Sequence, residues 1–213
     1  GKKDNKLSVS VGTGTYFETI ANLPDYQNKY GAGANGNYSN SNGSWGPSFK
    51  SLTTIPTWGP MLAAFPELGP TQPYVAHPNN VKDLFQTGTV IDNTIGFNYS
   101  GQDGSFNATI SDLDQNGYIP NNTYDRTSIS LGGTFKLANK LTMGANSSFS
   151  KTSQVGGFFG ENQFDGSSSS FARTLYLARN WDFNLPYEDP VTGYSVTPVA
   201  GQFDHPLWSW EHD

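Results

Sequence analysis

Five runs of alternating apolar and polar residues constrain this chain more than any other feature: residues 7–17, 91–99, 106–110, 129–137 and 141–149. Alternation with period two belongs to strands whose two faces meet different surroundings. The connections narrow the topology further. If successive strands run antiparallel, the tight turns at 101–104 and 138–140 fall at one end of the sheet. The connections 21–88, 112–125 and 151–213 then all fall at the other. Short turns at one end and long loops at the opposite end are the arrangement of a transmembrane barrel of the outer-membrane type.

The expected fold is therefore all-β, a fragment of a large antiparallel transmembrane β-barrel with about five strands and long external loops. Strands are expected near 6–18, 90–100, 105–112, 127–137 and 141–151, and external loops near 21–88, 112–126 and 151–213. The apolar set predicted to face lipid is Ile91, Ile95, Phe97, Phe106, Ile110, Ile129, Leu131, Phe135, Leu141, Met143 and Phe149, with Leu7, Val9 and Val11 on the first run. Ser8, Ser10, Asn98, Asn107, Thr109, Ser128, Ser130, Thr134, Asn146 and Ser148 alternate with them and suit a hydrated lumen. Asn93, Gly133 and Ser147 interrupt the apolar rows. Tyr99, Phe106 and Phe135 near the short turns, and Phe17 and Phe149 near the long loops, stand where interfacial girdles are found.

Composition excludes several alternatives. Of the 213 residues 35% are hydrophobic and only 14% charged, with 24 glycines and 13 prolines. That mixture is shared by outer-membrane barrels, extracellular sandwiches and glycan-binding modules, so the pattern of runs has to choose among them. No stretch approaches the roughly 20 apolar residues of a membrane helix. No cysteine is present, which rules out disulfides and thiolate metal sites. The net charge of −6 with scattered basic residues argues against nucleic acid as a partner. The charged residues 1–6 lack the apolar core of a signal peptide. Closure of a membrane barrel needs about eight strands or more, so five are expected to be part of a larger wall.

Candidate chemistry is sparse. Asp112, Asp114, Asn116, Gly117 and Tyr118 copy the opening of a calcium-binding EF-hand loop, but position twelve is Thr123 and the flanks are strands. A structured external turn with Gly117 at positive φ is the expectation there. His77, His205 and His212 lie in loops without a nucleophile or metal-spaced partner, so no enzyme activity, metal or cofactor is expected. Seven loop aromatics, Trp45, Trp58, Tyr74, Trp181, Tyr187, Trp208 and Trp210, concentrate in the two longest connections, which hold all five tryptophans. Such rings stack on sugars, anchor protein interfaces or build small cores within long loops. Residues 164–170 read as a loop tip before a short helix at 171–179, and 180–184 and 195–199 as weak strands. Asn-x-Ser/Thr triplets, three of them within strands, are assigned no function.

Four segments, residues 23–31, 44–47, 77–88 and 111–121, add a resemblance. Their sequences, LPDYQNKYG, SWGP, HPNNVKDLFQTG and SDLDQNGYIPN, resemble SusC-like TonB-dependent transporters of Bacteroidota outer membranes in order and spacing. The resemblance implies the first five of 22 barrel strands, beginning just after a plug domain that this chain lacks. It implies uptake of glycan oligomers or peptides together with a SusD-like surface lipoprotein, driven by the TonB complex through the missing plug region. It also implies contact with outer-membrane lipid, and with barrel-assembly machinery if the chain is caught partly folded. The rival from another class is a secreted β-sandwich glycan-binding module. That fold needs the apolar rows packed against a second sheet about 10 Å away.

Overall fold

A computed structural model describes residues 5–138, 141–156, 174–198 and 204–212. The tip at 164–170, the start of the helix expected at 171–179, the turn residues 139–140 and Val199 lie outside them. The chain is mostly antiparallel β-sheet and divides into two compact units.

Unit one is a five-stranded antiparallel sheet of β1 (Lys6–Glu18), β4 (Gly88–Ser100), β5 (Gly104–Asn116), β6 (Thr123–Ala138) and β7 (Leu141–Val155), in the order β1-β4-β5-β6-β7. Every neighbour in sequence within this set is a neighbour in space. Glu18 pairs with Gly88 and Thr123 pairs with both Asn116 and Val155, so the longer connections leave from one end of the sheet.

The register carries the consequence. Val11, Ile95, Ile110, Ile129 and Phe149 face one another across all five strands. So do Val9, Phe97, Ala108, Leu131 and Ser147, and then Leu7, Tyr99, Phe106, Gly133 and Ala145. Phe135 and Met143 begin the next row, and a bulge at 136–138 carries Leu137 beside the Ala138–Leu141 pair. Since side chains alternate, all of these stand on one face, and their large apolar members remain 37–74% exposed. The opposite face bears rows such as Ser8, Asn98, Asn107, Gly132 and Asn146, and Ser10, Gly96, Thr109, Ser130 and Ser148. Hydroxyl pairs Ser105–Thr134 at 2.8 Å and Ser128–Ser150 at 3.0 Å link neighbouring strands there.

The apolar belt ends abruptly. Beyond the Val11–Phe149 row the same face presents Thr13, Asn93, Asp112, Thr127 and Lys151, all polar. Thr13 donates to Asn93 at 2.7 Å and Thr127 to Asp112 at 2.7 Å, so the boundary row is knit from strand to strand. Asn93 is thus no interruption of an apolar row but a member of a polar one. Gly133 lies against the rings of Phe135 and Phe106, which cover the space a side chain would fill. Ile91 shares the apolar face but sits past the boundary between Thr15 and Asp114, outside the continuous belt, and Phe17 sits one row further.

The expected loop at 112–126 is corrected. β5 continues to Asn116 and β6 begins at Thr123, leaving only residues 117–122 between them. Asp112, Asp114 and Asn116 therefore occupy alternate strand positions, and the ladder supersedes the calcium-loop conformation. The left-handed residue of the short turn is Asn121 (φ 56°), not Gly117.

Unit two gathers residues 20–86, 119–121 and 156–213. It contains the two-stranded sheet of β2 (Thr54–Pro56) and β3 (Thr71–Pro73), helices α1 (Gly59–Ala64) and α2 (Pro206–His212), and much irregular chain. Segments 180–184 and 195–198 form turns and a single Glu188–Ser195 bridge rather than strands. Met61, Phe65 and Val196 make an apolar cluster with Trp58, Leu68 and Leu185. A second tight construction surrounds Tyr74, fully buried, whose hydroxyl donates to the carbonyl of Pro47 at 3.1 Å and whose ring lies 4.9 Å from that of Phe49. Here the backbone of 31–33 crosses that of 43–47 through Gly46 N–H to Gly31 C=O (3.0 Å), Gly33 N–H to Gly43 C=O (3.0 Å) and Trp45 N–H to Gly33 C=O (3.1 Å).

A Cβ at Gly46 would fall onto the Ala32 carbonyl oxygen, so only glycine permits this crossing. Gly46→Ala is expected to destabilise unit two by about 1–3 kcal/mol. Urea titration followed by tryptophan fluorescence, which reports unit two alone, should show the lower midpoint, and the sheet's far-ultraviolet signal should be unchanged at zero urea.

Candidate functional site

The chemistry of unit two is organised by one buried cation. Arg179 is 1% exposed, yet no carboxylate pairs with it among the described residues. Its guanidinium instead donates to neutral oxygens: Asn80 Oδ1 at 2.5 Å, the carbonyls of Pro78 at 2.6 Å and His77 at 3.2 Å, and Asn28 Oδ1 at 3.2 Å. It also lies 4.6 Å over the ring of Tyr26, a cation–π contact. Burial pulls the guanidinium below its ordinary pKa, opposed by the nearby Tyr26, and the same burial pushes the Tyr26 phenol up. An arginine has no accessible neutral form, so the four oxygens take the place of a counter-ion.

Asn80 doubles the tie. Its amide nitrogen donates to the carbonyls of Ala178 at 3.0 Å and Trp181 at 3.4 Å, while its oxygen accepts from Arg179 and from the Val81 N–H. His77 N–H donates to the Arg179 carbonyl at 2.8 Å, and Asn180 Oδ1 accepts from Ala32 N–H at 2.7 Å. Segments 26–32, 77–81 and 178–181 are thus joined through amides and a guanidinium rather than through hydrocarbon.

Beside this hub lies a cavity of about 110 Å3. Trp58 and Trp181 contribute apolar surface, and Asn40, Gln72, His77 and Asp182 contribute polar groups. His77 Nδ1 is 3.9 Å from Asp182 Oδ1, too long for a hydrogen bond, and Asp182 is already accepting from Asn184 at 2.8 and 2.9 Å. The cavity combines ring faces with amide, imidazole and carboxylate groups.

A third cluster surrounds α2. His205 is buried, stacked on Tyr187 with ring centres 4.6 Å apart, and edge-on to Phe183 at 5.0 Å. Its Nδ1 accepts from Leu207 N–H at 3.2 Å, capping α2 just ahead of Pro206. Burial lowers its pKa to about 3. The cap needs the same unprotonated Nδ1, so geometry and desolvation both select the neutral ring. Tyr187 donates to Glu211 at 2.8 Å, and burial, that hydrogen bond and the charges of Glu211 and Glu188 raise its phenol to about 12. His212 stacks on Trp208 at 4.4 Å and lies 3.4 Å from Glu188.

The seven aromatics singled out from sequence divide by burial. Tyr74, Trp181 and Trp210 are at most 2% exposed and are committed to packing, Trp210 with its ring 5.9 Å from Phe85. Trp58, Tyr187 and Trp208 are half-buried, and the Trp208 indole donates to the Gly193 carbonyl at 3.1 Å. Trp45 alone of the tryptophans is largely exposed, at 65%. Arg179, Asn80, Asn28 and the His77–Asp182 approach were not singled out from sequence. A lone arginine among loop residues carries no periodicity or spacing that marks it as a hub. No family model matches the chain, and no curated protein is significantly similar to it.

Two outcomes follow from this geometry. Arg179→Met should leave the Pro78 carbonyl and Asn28 Oδ1 without that donor and reduce the His77 carbonyl and Asn80 Oδ1 to one donor each, at a cost on the order of 3 kcal/mol. Arg179→Lys should fall between, because an ammonium cannot reproduce the planar fork. Chemical denaturation followed by tryptophan fluorescence orders the three proteins. His205 gives a pH dependence whose sign is fixed. Its folded pKa lies below the unfolded value, so between pH 6.5 and about 3 the unfolded chain binds the extra proton and stability falls as pH falls. From pH 6.5 to 5 the loss from this group is about 2 kcal/mol. His205→Asn, which keeps an acceptor for Leu207 N–H, should lose that part of the slope.

Proposed function

We propose that the chain is part of the wall of a SusC-like TonB-dependent outer-membrane transporter that imports glycan oligomers or peptides with a SusD-like lipoprotein. The observation that carries this reading is the two-faced sheet. Rows of Val, Ile, Leu and Phe stay exposed on one side while Ser, Thr, Asn and Gly line the other, in register across five strands. In water such a face is unfavourable by roughly 25 cal/mol for each Å2 left uncovered. In hydrocarbon it is the surface a barrel must present.

The dimensions support the same reading. Residues Leu141 to Phe149 of β7 span the belt, about 27 Å along the strand at roughly 3.4 Å per residue. Nine residues are what a tilted membrane strand uses, roughly 9–11. The polar row Thr13–Asn93–Asp112–Thr127–Lys151 then marks the outer headgroup boundary, and the segments leaving that end become external loops. Phe135, paired with Met143, falls toward the opposite boundary, and Tyr99 and Phe106 lie one row inside it, beside the short turn that joins their strands. β1 and β7 each have one unpaired side among the described residues, and further strands would close it. The four segments that resemble SusC-like transporters place two of their stretches, 23–31 and 77–88, around the Arg179 hub. The sandwich alternative lacks support, since the apolar rows remain uncovered.

In alkali-washed outer membranes of the source cell, peptides of this chain are expected in a protein well above 23.1 kDa. Recovery of a 23.1 kDa protein from the soluble fraction would overturn the reading. Leu131→Arg, one row deeper in the belt than Ile129, should impair membrane assembly by about 2–4 kcal/mol, the effect of a cation well inside the hydrocarbon, whereas Ser130→Arg on the other face should assemble normally. Heat-modifiable migration on electrophoresis compares the two.

A further inference from the structure

We infer that the cavity beside the Arg179 hub binds a small primary amine, whose ammonium bridges His77 and Asp182 while its apolar body lies against Trp58. The site lies wholly within unit two. Its ligand class differs from the cargo of the transporter reading, and the inference stands without that reading.

The cavity joins an apolar wall to one polar corner. Its volume of about 110 Å3 is several times the roughly 10–15 Å3 that a single water needs. Buried Met61 and half-buried Trp58 and Leu68 belong to the apolar cluster of unit two and also line this space. Val75, 45% exposed, lines it too and marks its side open to solvent. Such a wall favours a ligand that carries hydrocarbon.

At the polar corner His77 Nδ1 and Asp182 Oδ1 stand 3.9 Å apart, and their side chains keep 28% and 32% of their surface. A ligand can therefore reach both. The spacing is too long for a bond between them and suits two acceptors that share one donor. A nitrogen about 2.8 Å from each would see them at an angle of about 90°, which two N–H bonds of an ammonium serve with little bending. Both residues are held from behind. His77 N–H donates to the Arg179 carbonyl at 2.8 Å, and the His77 carbonyl accepts from the guanidinium at 3.2 Å. Asp182 Oδ1 accepts from the Asn184 backbone and side-chain amides at 2.9 and 2.8 Å. Asp182 Oδ2 takes no hydrogen bond among the described residues, so the carboxylate has an acceptor to spare.

Charge selects the class. Asp182 is the one carboxylate on the lining, and no lysine or arginine joins it among the described residues, so the cavity disfavours anions. The neutral His77 ring, with its proton on Nε2, accepts through Nδ1. A metal ion would need at least three such ligands, and no group of three His, Cys, Asp or Glu suited to one exists among the described residues. An ammonium brings positive charge and several N–H donors in one group, and bonds of that kind are about twice as strong as neutral ones.

The test is calorimetric titration of the purified protein in a nonionic polyoxyethylene detergent at mildly alkaline pH. Phenethyl and n-hexyl bodies are each offered as the primary amine, the alcohol and the trimethylammonium. At least one amine is expected to bind roughly tenfold or more tightly than its alcohol, which lacks the charge, and than its trimethylated cation, which lacks N–H donors. Asp182→Asn keeps the acceptor for Asn184 and should weaken the amine roughly tenfold or more while leaving the alcohol unchanged. His77→Phe keeps the bulk of the ring and the backbone bonds to Arg179, and should weaken the amine about tenfold. A merely structural role for these residues would weaken all probes alike and would overturn the inference. So would failure of both amines to bind, an alcohol that binds as tightly as its amine, or either variant keeping the amine's full preference. If a variant does not fold, the ranking of the probes by the unaltered protein decides.

Discussion

The unbroken register of the five-stranded ladder is the constraint on which unit one depends. A slip of one residue between any two strands would move every side chain of one of them to the opposite face. Val11, Ile95, Ile110, Ile129 and Phe149 lie in one row because four successive pairings agree. The polar row immediately beyond depends on the same four agreements. Backbone pairing thus decides both which residues share the apolar face and where that face ends.

Unit two follows a different physical logic. Its chain is rich in Asn, Gly, Pro and Ser, and a loop of that composition cannot enclose a large hydrocarbon core. Small apolar clusters at Met61 and around Trp210 are supplemented by directional bonds. Arg179 reaches three carbonyl or amide groups of segment 77–80 and one of Asn28, and Asn80 returns bonds to 178 and 181. Such a network fixes irregular backbone more specifically than oily contacts do, since each bond requires a particular atom in a particular direction.

The strand centres were legible in the sequence because period-two alternation is a local signal that the ladder then uses directly. So were both ends of β1 and the ends beside the tight turns, but at the other end β5, β6 and β7 run past the expected 112, 127 and 151 to Asn116, Thr123 and Val155. Asp112 to Asn116 has the composition of a turn and the spacing of an ion-binding loop, yet pairing with Thr123 to Thr127 extends β5 through it. Local preference yielded there to the free energy of continuing an existing sheet. Ile91 was legible as to face but not as to height, because height depends on which residues of four other strands share its row. In unit two the aromatics could be collected from sequence, but their roles could not. Tyr74 and Trp45 have similar loop surroundings in the chain, and only the crossing at Gly46 seals one and leaves the other open.

Burial also separates what the tryptophans can do. Trp181 and Trp210 have little surface left for a partner, so any contact they made would require the loops to open. Trp58 presents one part of its ring to a cavity and another to the Met61 cluster, which makes it a wall rather than a free platform. Trp45 is held in place by its backbone and by Tyr30 while its face stays uncovered. A ring both fixed and exposed loses little conformational entropy when a ligand arrives, which favours binding without any added contact. Rigidity from the crossing, rather than the number of aromatic residues, is what sets this ring apart from the other four tryptophans.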